Sequence, residues 1–183
     1  MATILRDRAE GTRIFLVGMM GCGKTTVGKR LAEALKLDFV DLDDAIVKRT
    51  KISVTEFFSK HGEFEFRTCE AQVLRDIPRR YPNAVVATGG GTPLQFDNMS
   101  FINDNGLSIF LDIDSVHLIE RLAKQRDARP LLNRDDWETF LDTLTAQRRP
   151  TYEQADVTVE VVGGDSTLAT AAIVEQLPQI VGH

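Results

Sequence analysis

Residues 18–25, Gly18-Met19-Met20-Gly21-Cys22-Gly23-Lys24-Thr25, follow the pattern G-x-x-x-x-G-K-[ST]. Such a loop wraps successive backbone N–H groups around phosphate oxygens, which glycine permits because it has no Cβ and tolerates positive φ. The Lys24 amine would reach the β- and γ-phosphates, and the Thr25 hydroxyl would ligate Mg²⁺. The expected cradle for the nucleotide is Gly21, Cys22, Gly23, Lys24, Thr25 and Thr26. A chance match in a chain of this length has a probability on the order of 1% from ordinary residue usage. The pattern therefore points to a nucleoside triphosphate carried with Mg²⁺. Lys24 is read here as a loop charge outside the core, and Cys22 as a small side chain with no activating base beside it.

A second group of residues could supply an acceptor. Asp41 and Asp43 follow the short apolar segment Phe39-Val40. If that strand runs on through Asp43, the two carboxylates share a face. One could then order Mg²⁺ through water while the other accepts a proton from an attacking hydroxyl. The alternative is a helix cap, with Asp43 or Asp44 preceding Ala45-Ile46-Val47. Arg67 stands in an acidic stretch, Arg129 before Pro130, and Arg148-Arg149 before Pro150. A guanidinium fork pairs bidentately with carboxylate or phosphate, but exposed arginines are common and none marks a site alone. Gly89-Gly90-Gly91 would let a substrate approach bare backbone N–H groups, although a glycine triplet can equally be a turn.

The elements that must position these residues alternate in type. Ile14 to Val17 is short, apolar and ended by glycine, which predicts a strand buried on both faces and central in a sheet. From Lys24 onward, Val27, Leu31, Ala34 and Leu35 form one helical stripe. Further strands are expected at 39–41, 84–87, 107–111 and 157–161, and further helices at 54–60, 63–77, 116–124, 137–152 and 167–176. Residues 125–136 lack an apolar period and suit a mobile surface loop. Strand and helix in alternation predict an α/β fold with a parallel sheet.

Composition bounds the rest. With 183 residues, 43% hydrophobic and 27% charged, the chain matches a single globular domain. Its net charge of −5 argues against a broad basic face for nucleic acid or anionic lipid. No apolar run approaches the roughly 20 residues of a membrane span, and charges near the start replace the apolar core of an export signal. Cys22 and Cys69, far apart in sequence, suit reduced thiols. A cytoplasmic protein, probed by small molecules rather than by membranes, is the expectation.

Taken in order, six motifs resemble the shikimate kinase family: the phosphate loop, Asp41-Leu42-Asp43, G-E-x-x-F-R at Gly62 to Arg67, the glycine triplet, Arg129-Pro130-Leu131, and R-x-P-x-Y from Arg148 to Tyr152. The resemblance spans residues 14 to about 161. It implies a P-loop kinase fold: a five-stranded parallel sheet flanked by helices, a substrate-binding segment at about 41–77 and a lid at about 125–136. It implies transfer of the γ-phosphate of ATP to shikimate, with Mg²⁺ held by Thr25 and, through water, by Asp41. Shikimate would be held by Asp43, Arg67, the triplet Gly89, Gly90 and Gly91, and Arg148. Arg129 would ride the lid over the phosphates, and Lys24, Asp43 and Arg129 would serve the chemistry. Motif spacing favours Arg148 as the substrate arginine and leaves Arg149 facing solvent. The third strand ends in Ala87-Thr88-Gly89, without the aspartate many P-loop proteins use for the metal. A monomer is expected. A kinase for another acceptor, such as gluconate or a nucleoside monophosphate, is the rival within the fold. A nucleotide switch would need an N-K-x-D element, which the chain lacks.

Overall fold

The computed structural model describes residues 11–124 and 132–181, with side chains to Leu177. Five parallel strands, β1 (Arg13–Val17), β2 (Asp38–Asp41), β3 (Ala84–Ala87), β4 (Leu107–Asp112) and β5 (Val157–Glu160), lie in the order β2-β3-β1-β4-β5. β1 is central, and each of its five residues is buried, so its unbroken apolar run has a partner layer on both faces. Phe15 pairs with Val86 of β3 and Ser108 of β4. The helices are α1 (Lys24–Leu35), α2 (Leu42–Thr50), α3 (Val54–Arg80), α4 (Asn98–Asn105), α5 (Ser115–Ala123), α6 (Trp137–Tyr152) and α7 (Ser166–Val181). α1 packs on α7, α2 on α3, and α5 on α6.

The expected α/β architecture is present, with instructive differences. β2 stops at Asp41, and the chain turns helical at Leu42. The cap of α2 is Asp41, whose Oδ1 accepts from the Asp43 N–H at 3.1 Å; neither Asp43 nor Asp44 fills that role. α3 breaks at Gly62, where φ is +83°, which matches the two helices expected there. It continues past Pro78, because the ring removes one hydrogen bond within the last turn only. α4 and a one-turn 3₁₀ helix at Thr92–Leu94 were outside the expected pattern. The expected lid lies mostly among residues 125–131, outside the described residues, and so does Arg129.

Candidate active site

Open α/β sheets place their ligand crevice beyond the carboxyl ends of the strands. Here a cleft of about 430 Å³ opens past β1, β2 and β3, lined by the phosphate loop, Asp41, Asp43, Thr88, Gly89, Gly90, Arg121 and Lys124. Gly23 caps α1 at φ +105°, a left-handed conformation that any Cβ would strain. The first-turn N–H groups of α1, those of Lys24, Thr25 and Thr26, therefore open into the cleft without partners inside their own helix. A phosphate at this end meets both those donors and the positive end of the helix dipole.

Lys24 is not the exposed loop charge the sequence suggested. It is only 8% exposed, and its Nζ donates to the carbonyls of Gly18 at 2.7 Å and Met19 at 2.8 Å, with Cys22 Sγ at 3.7 Å. Three phosphate-loop atoms thus hold the ammonium, which keeps the loop shaped around it. Cys22 is fully buried as part of this packing.

Thr25 Oγ1 donates to Asp41 Oδ2 at 2.8 Å, while the other oxygen of Asp41 caps α2. One carboxylate thereby links the phosphate loop to the start of α2. The pair offers one hydroxyl and one carboxylate oxygen at the mouth of the loop. Such a sparse oxygen set fits Mg²⁺, which keeps several waters and takes its remaining ligands from substrate phosphates. Among the described residues no three His, Cys, Asp or Glu side chains gather into a metal cage.

Asp43 reaches the same cleft from the first turn of α2 and not from a strand face. Its pKa is pushed up to about 6, first by partial desolvation of the carboxyl among the cleft's groups, although the residue meets solvent, and then by the negative charges of Asp41 and Glu70. Lys24 and Arg67 oppose the shift without cancelling it. A carboxyl with a pKa close to neutral is suited to hold or take up a proton from a hydroxyl.

The glycine triplet lies between these groups and the arginines. A Cβ on Gly91 would fall 2.7 Å from Arg67 Nη2, and one on Gly90 would fall 3.1 Å from the Met20 nitrogen and 3.7 Å from Arg148 Nη1. Close approach, more than turn-making, requires glycine here. Gly89 and Gly90 line the cleft, and their N–H groups donate to no protein acceptor among the described residues. Arg67 is held by Glu70, which is 1% exposed and accepts from Arg67 Nη1 at 2.8 Å and from Thr92 Oγ1 at 2.6 Å. Its guanidinium also lies over the rings of Phe66 and Phe58, so those aromatics both pack α3 and orient the arginine.

Arg149 does not face solvent unpaired, as motif spacing suggested. Its Nη1 bonds Asp112 Oδ1 at 3.0 Å and its Nε bonds Glu153 at 2.8 Å, which ties α6 to the end of β4. Arg148, its neighbour in sequence, is the one beside the glycine triplet. Sequence reasoning overlooked Glu70 and Arg121. Arg121 donates to the Gly21 carbonyl at 2.9 Å and also bonds the Gly164 carbonyl. No motif flagged either one; a lone glutamate or arginine within a helical stripe carries no signal of its own.

Among the described residues around the cleft, Lys24, Arg67, Arg121, Lys124 and Arg148 stand with Asp41, Asp43, Glu63 and Glu70. Five cations against four carboxylates leave a local positive excess on a chain of net charge −5, which suits anionic ligands.

The model of the shikimate kinase family matches residues 20–179. The chain belongs to the shikimate kinase family. A shikimate kinase of Parasynechococcus marenigrum (strain WH8102) is 41% identical over 177 residues, which cover 96% of this chain and 91% of that protein. One from Synechococcus sp. (strain CC9902) is 39% identical over 97% of this chain and 92% of its own length. Among solved structures, the shikimate kinase of Acinetobacter baumannii in complex with shikimate superposes with a TM-score of 0.85 at 35% identity, covering 93% of this chain and 94% of that one. The enzyme of Bacteroides thetaiotaomicron gives 0.80 at 33% identity, over 93% and 98% of the two chains. Membership makes the chain a kinase that transfers phosphate to an alcohol, with ATP as co-substrate. Among the described residues no helix is long and apolar enough to cross a membrane.

Proposed function

We propose how this shikimate kinase family member phosphorylates shikimate to shikimate 3-phosphate, the step that feeds chorismate and aromatic amino acid synthesis. ATP enters over the phosphate loop, and its γ-phosphate faces Asp43 across the cleft. Lys24 exchanges its loop carbonyls for phosphate oxygens, and the free N–H groups of the first turn of α1 hold the β-phosphate. Mg²⁺ brought with the nucleotide would be held by Thr25 and, through water, by Asp41, and would neutralise charge on the transferred group. Arg129, outside the described residues, would add positive charge over the phosphates, as the family resemblance implies.

The acceptor lies on the glycine triplet. Arg67 and Arg148 grip its carboxylate from two helices, and Asp43 takes a hydrogen bond from the reacting hydroxyl. Transfer is in line and passes through a loose transition state, so positioning and charge neutralisation outweigh base strength. Asp43 orients the hydroxyl and removes its proton late. The enzyme works as a monomer in the cytoplasm on ATP and shikimate.

The observation that carries this reading is that one cleft is shared: the phosphate loop, Asp43, Gly89 and Gly90 line it together, with Arg67 and Arg148 against the triplet. An arginine pair beside a carboxylate suits a polyhydroxylated acid better than a nucleobase. Arg148→Ala and Arg67→Ala each test the acceptor side. Loss of a desolvated charge pair costs about 2–5 kcal/mol, so the shikimate KM should rise at least about 30-fold while the ATP KM stays within twofold. Weakened ATP binding with an unchanged shikimate KM would place the acceptor elsewhere.

A further inference from the structure

We infer that Tyr152 is a positioning residue of the phosphoryl-transfer reaction, its hydroxyl fixing the Gly90 peptide beside Arg148 so that the acceptor is gripped. Tyr152 is the last residue of α6 and is 1% exposed. Its hydroxyl donates to the Gly90 carbonyl at 2.6 Å and lies 3.6 Å from Met19 Sδ in the phosphate loop. Its ring packs on Phe110 of β4 at 5.4 Å between centroids. One phenol thus touches the glycine triplet, the phosphate loop and the central sheet.

The consequence follows from peptide planarity. Holding the Gly90 carbonyl fixes the plane of the peptide that follows it and limits how Gly90 itself can rotate, in a triplet with no side chains of its own to anchor it. The plane so held carries the Gly91 N–H, for which no protein acceptor is found among the described residues, and it bounds Gly90, where a Cβ would lie 3.7 Å from Arg148 Nη1, so the anchor sets where that donor aims beside the arginine. Arg148 stands one helical turn before Tyr152 on the same face of α6, and its positive charge acts on the phenol. Burial pushes the phenol pKa up to about 12. The hydroxyl therefore stays a proton donor throughout the working pH range, and its role is geometric and not acid–base.

This inference rests on the acceptor assignment proposed above, and the test separates the two. Kinetics of Tyr152→Phe, Arg148→Ala and the parent enzyme are compared at 25 °C with ATP and shikimate each varied in turn. The phenylalanine keeps the ring and its contact with Phe110 while removing the donor. The shikimate KM of Tyr152→Phe should rise about 5- to 150-fold, the range for a buried acceptor that loses its donor. The ATP KM should move less than twofold and kcat less than about threefold. A merely structural hydroxyl would lower Tm and leave both KM values where they were, which would overturn the inference. A variant too unstable to assay at 25 °C would assign the hydroxyl to stability and overturn it as well. If Arg148→Ala itself leaves the shikimate KM unchanged, the acceptor assignment fails, and the inference falls with it. If Arg148→Ala raises that KM and Tyr152→Phe does not, only the inference fails.

Discussion

Asp43 supplies the most quantitative expectation. Its carboxyl is raised from the ordinary 3.8 to about 6 by partial desolvation and by Asp41 and Glu70. If the ionised form must orient the acceptor hydroxyl, kcat/KM for shikimate follows the ionised fraction in the free enzyme. That fraction is about 90% at pH 7, 50% at pH 6 and roughly 10% at pH 5 for a pKa of about 6. An ordinary aspartate would still be about 94% ionised at pH 5. The assay is a coupled or direct measurement of ADP release from pH 4.5 to 8 at subsaturating shikimate, with ATP and Mg²⁺ saturating. The acid limb should bend near pH 6 and fall about tenfold per unit below it. Stability runs the other way. A carboxyl whose pKa is higher in the folded chain binds its proton on folding, so its contribution is greatest at low pH and is lost as pH rises from about 4 through about 6. Asp43→Asn should therefore raise Tm at pH 7 and leave it unchanged at pH 4. The full shift corresponds to about 3 kcal/mol, but the carboxyl still meets the water of the cleft. Screening brings the expected gain to about 1 kcal/mol. A flat kcat/KM down to pH 4.5, or an Asp43→Asn variant less stable at pH 7, would refute the reasoning.

Two further substitutions bear on groups whose setting the structure redefined. Lys24→Met should lower kcat by at least about a hundredfold through lost charge neutralisation, and it should also lower Tm by several degrees, because the ammonium holds the carbonyls of Gly18 and Met19. Calorimetry showing an unchanged Tm would mean those bonds contribute nothing to the loop. Arg149→Ala should destabilise the chain by about 1 kcal/mol, since it removes the link from α6 to Asp112 at a half-exposed position. Its shikimate KM should stay within twofold, and a large rise would shift the motif register from Arg148 to Arg149.

The residues with the most stringent local requirements were the easiest to read. The phosphate loop needs glycine, lysine and threonine at fixed spacing between a strand and a helix, and all of it lies where that pattern demands. β3 is an unbroken apolar run, and β1 and β4 are apolar but for Arg13 at the start of β1 and Ser108 and Asp112 in β4. Residues decided by tertiary contact were harder. Asp41, Asp43 and Asp44 are all acceptable caps, and only the end of β2 at Asp41 selects one of them. α4, rich in Asn and Asp, has weak helix propensity and little periodicity, so it left no clear trace. Glu70 is a buried carboxylate because Arg67 and Thr92, far apart in sequence, meet it. Lys24 looked like a loop charge because sequence shows its neighbours in the chain but not the carbonyls folded back around it.

The cleft is expected to join ATP to shikimate in strong preference to other hydroxyl acceptors. ADP release should be measured with shikimate, gluconate and AMP side by side at equal concentration, with ATP and Mg²⁺ saturating. The arginine pair and Asp43 predict turnover with shikimate at least about a hundredfold above that with gluconate or AMP, since an acceptor that leaves buried polar groups unpaired is rejected strongly. Equal or greater turnover with gluconate or AMP would contradict the account.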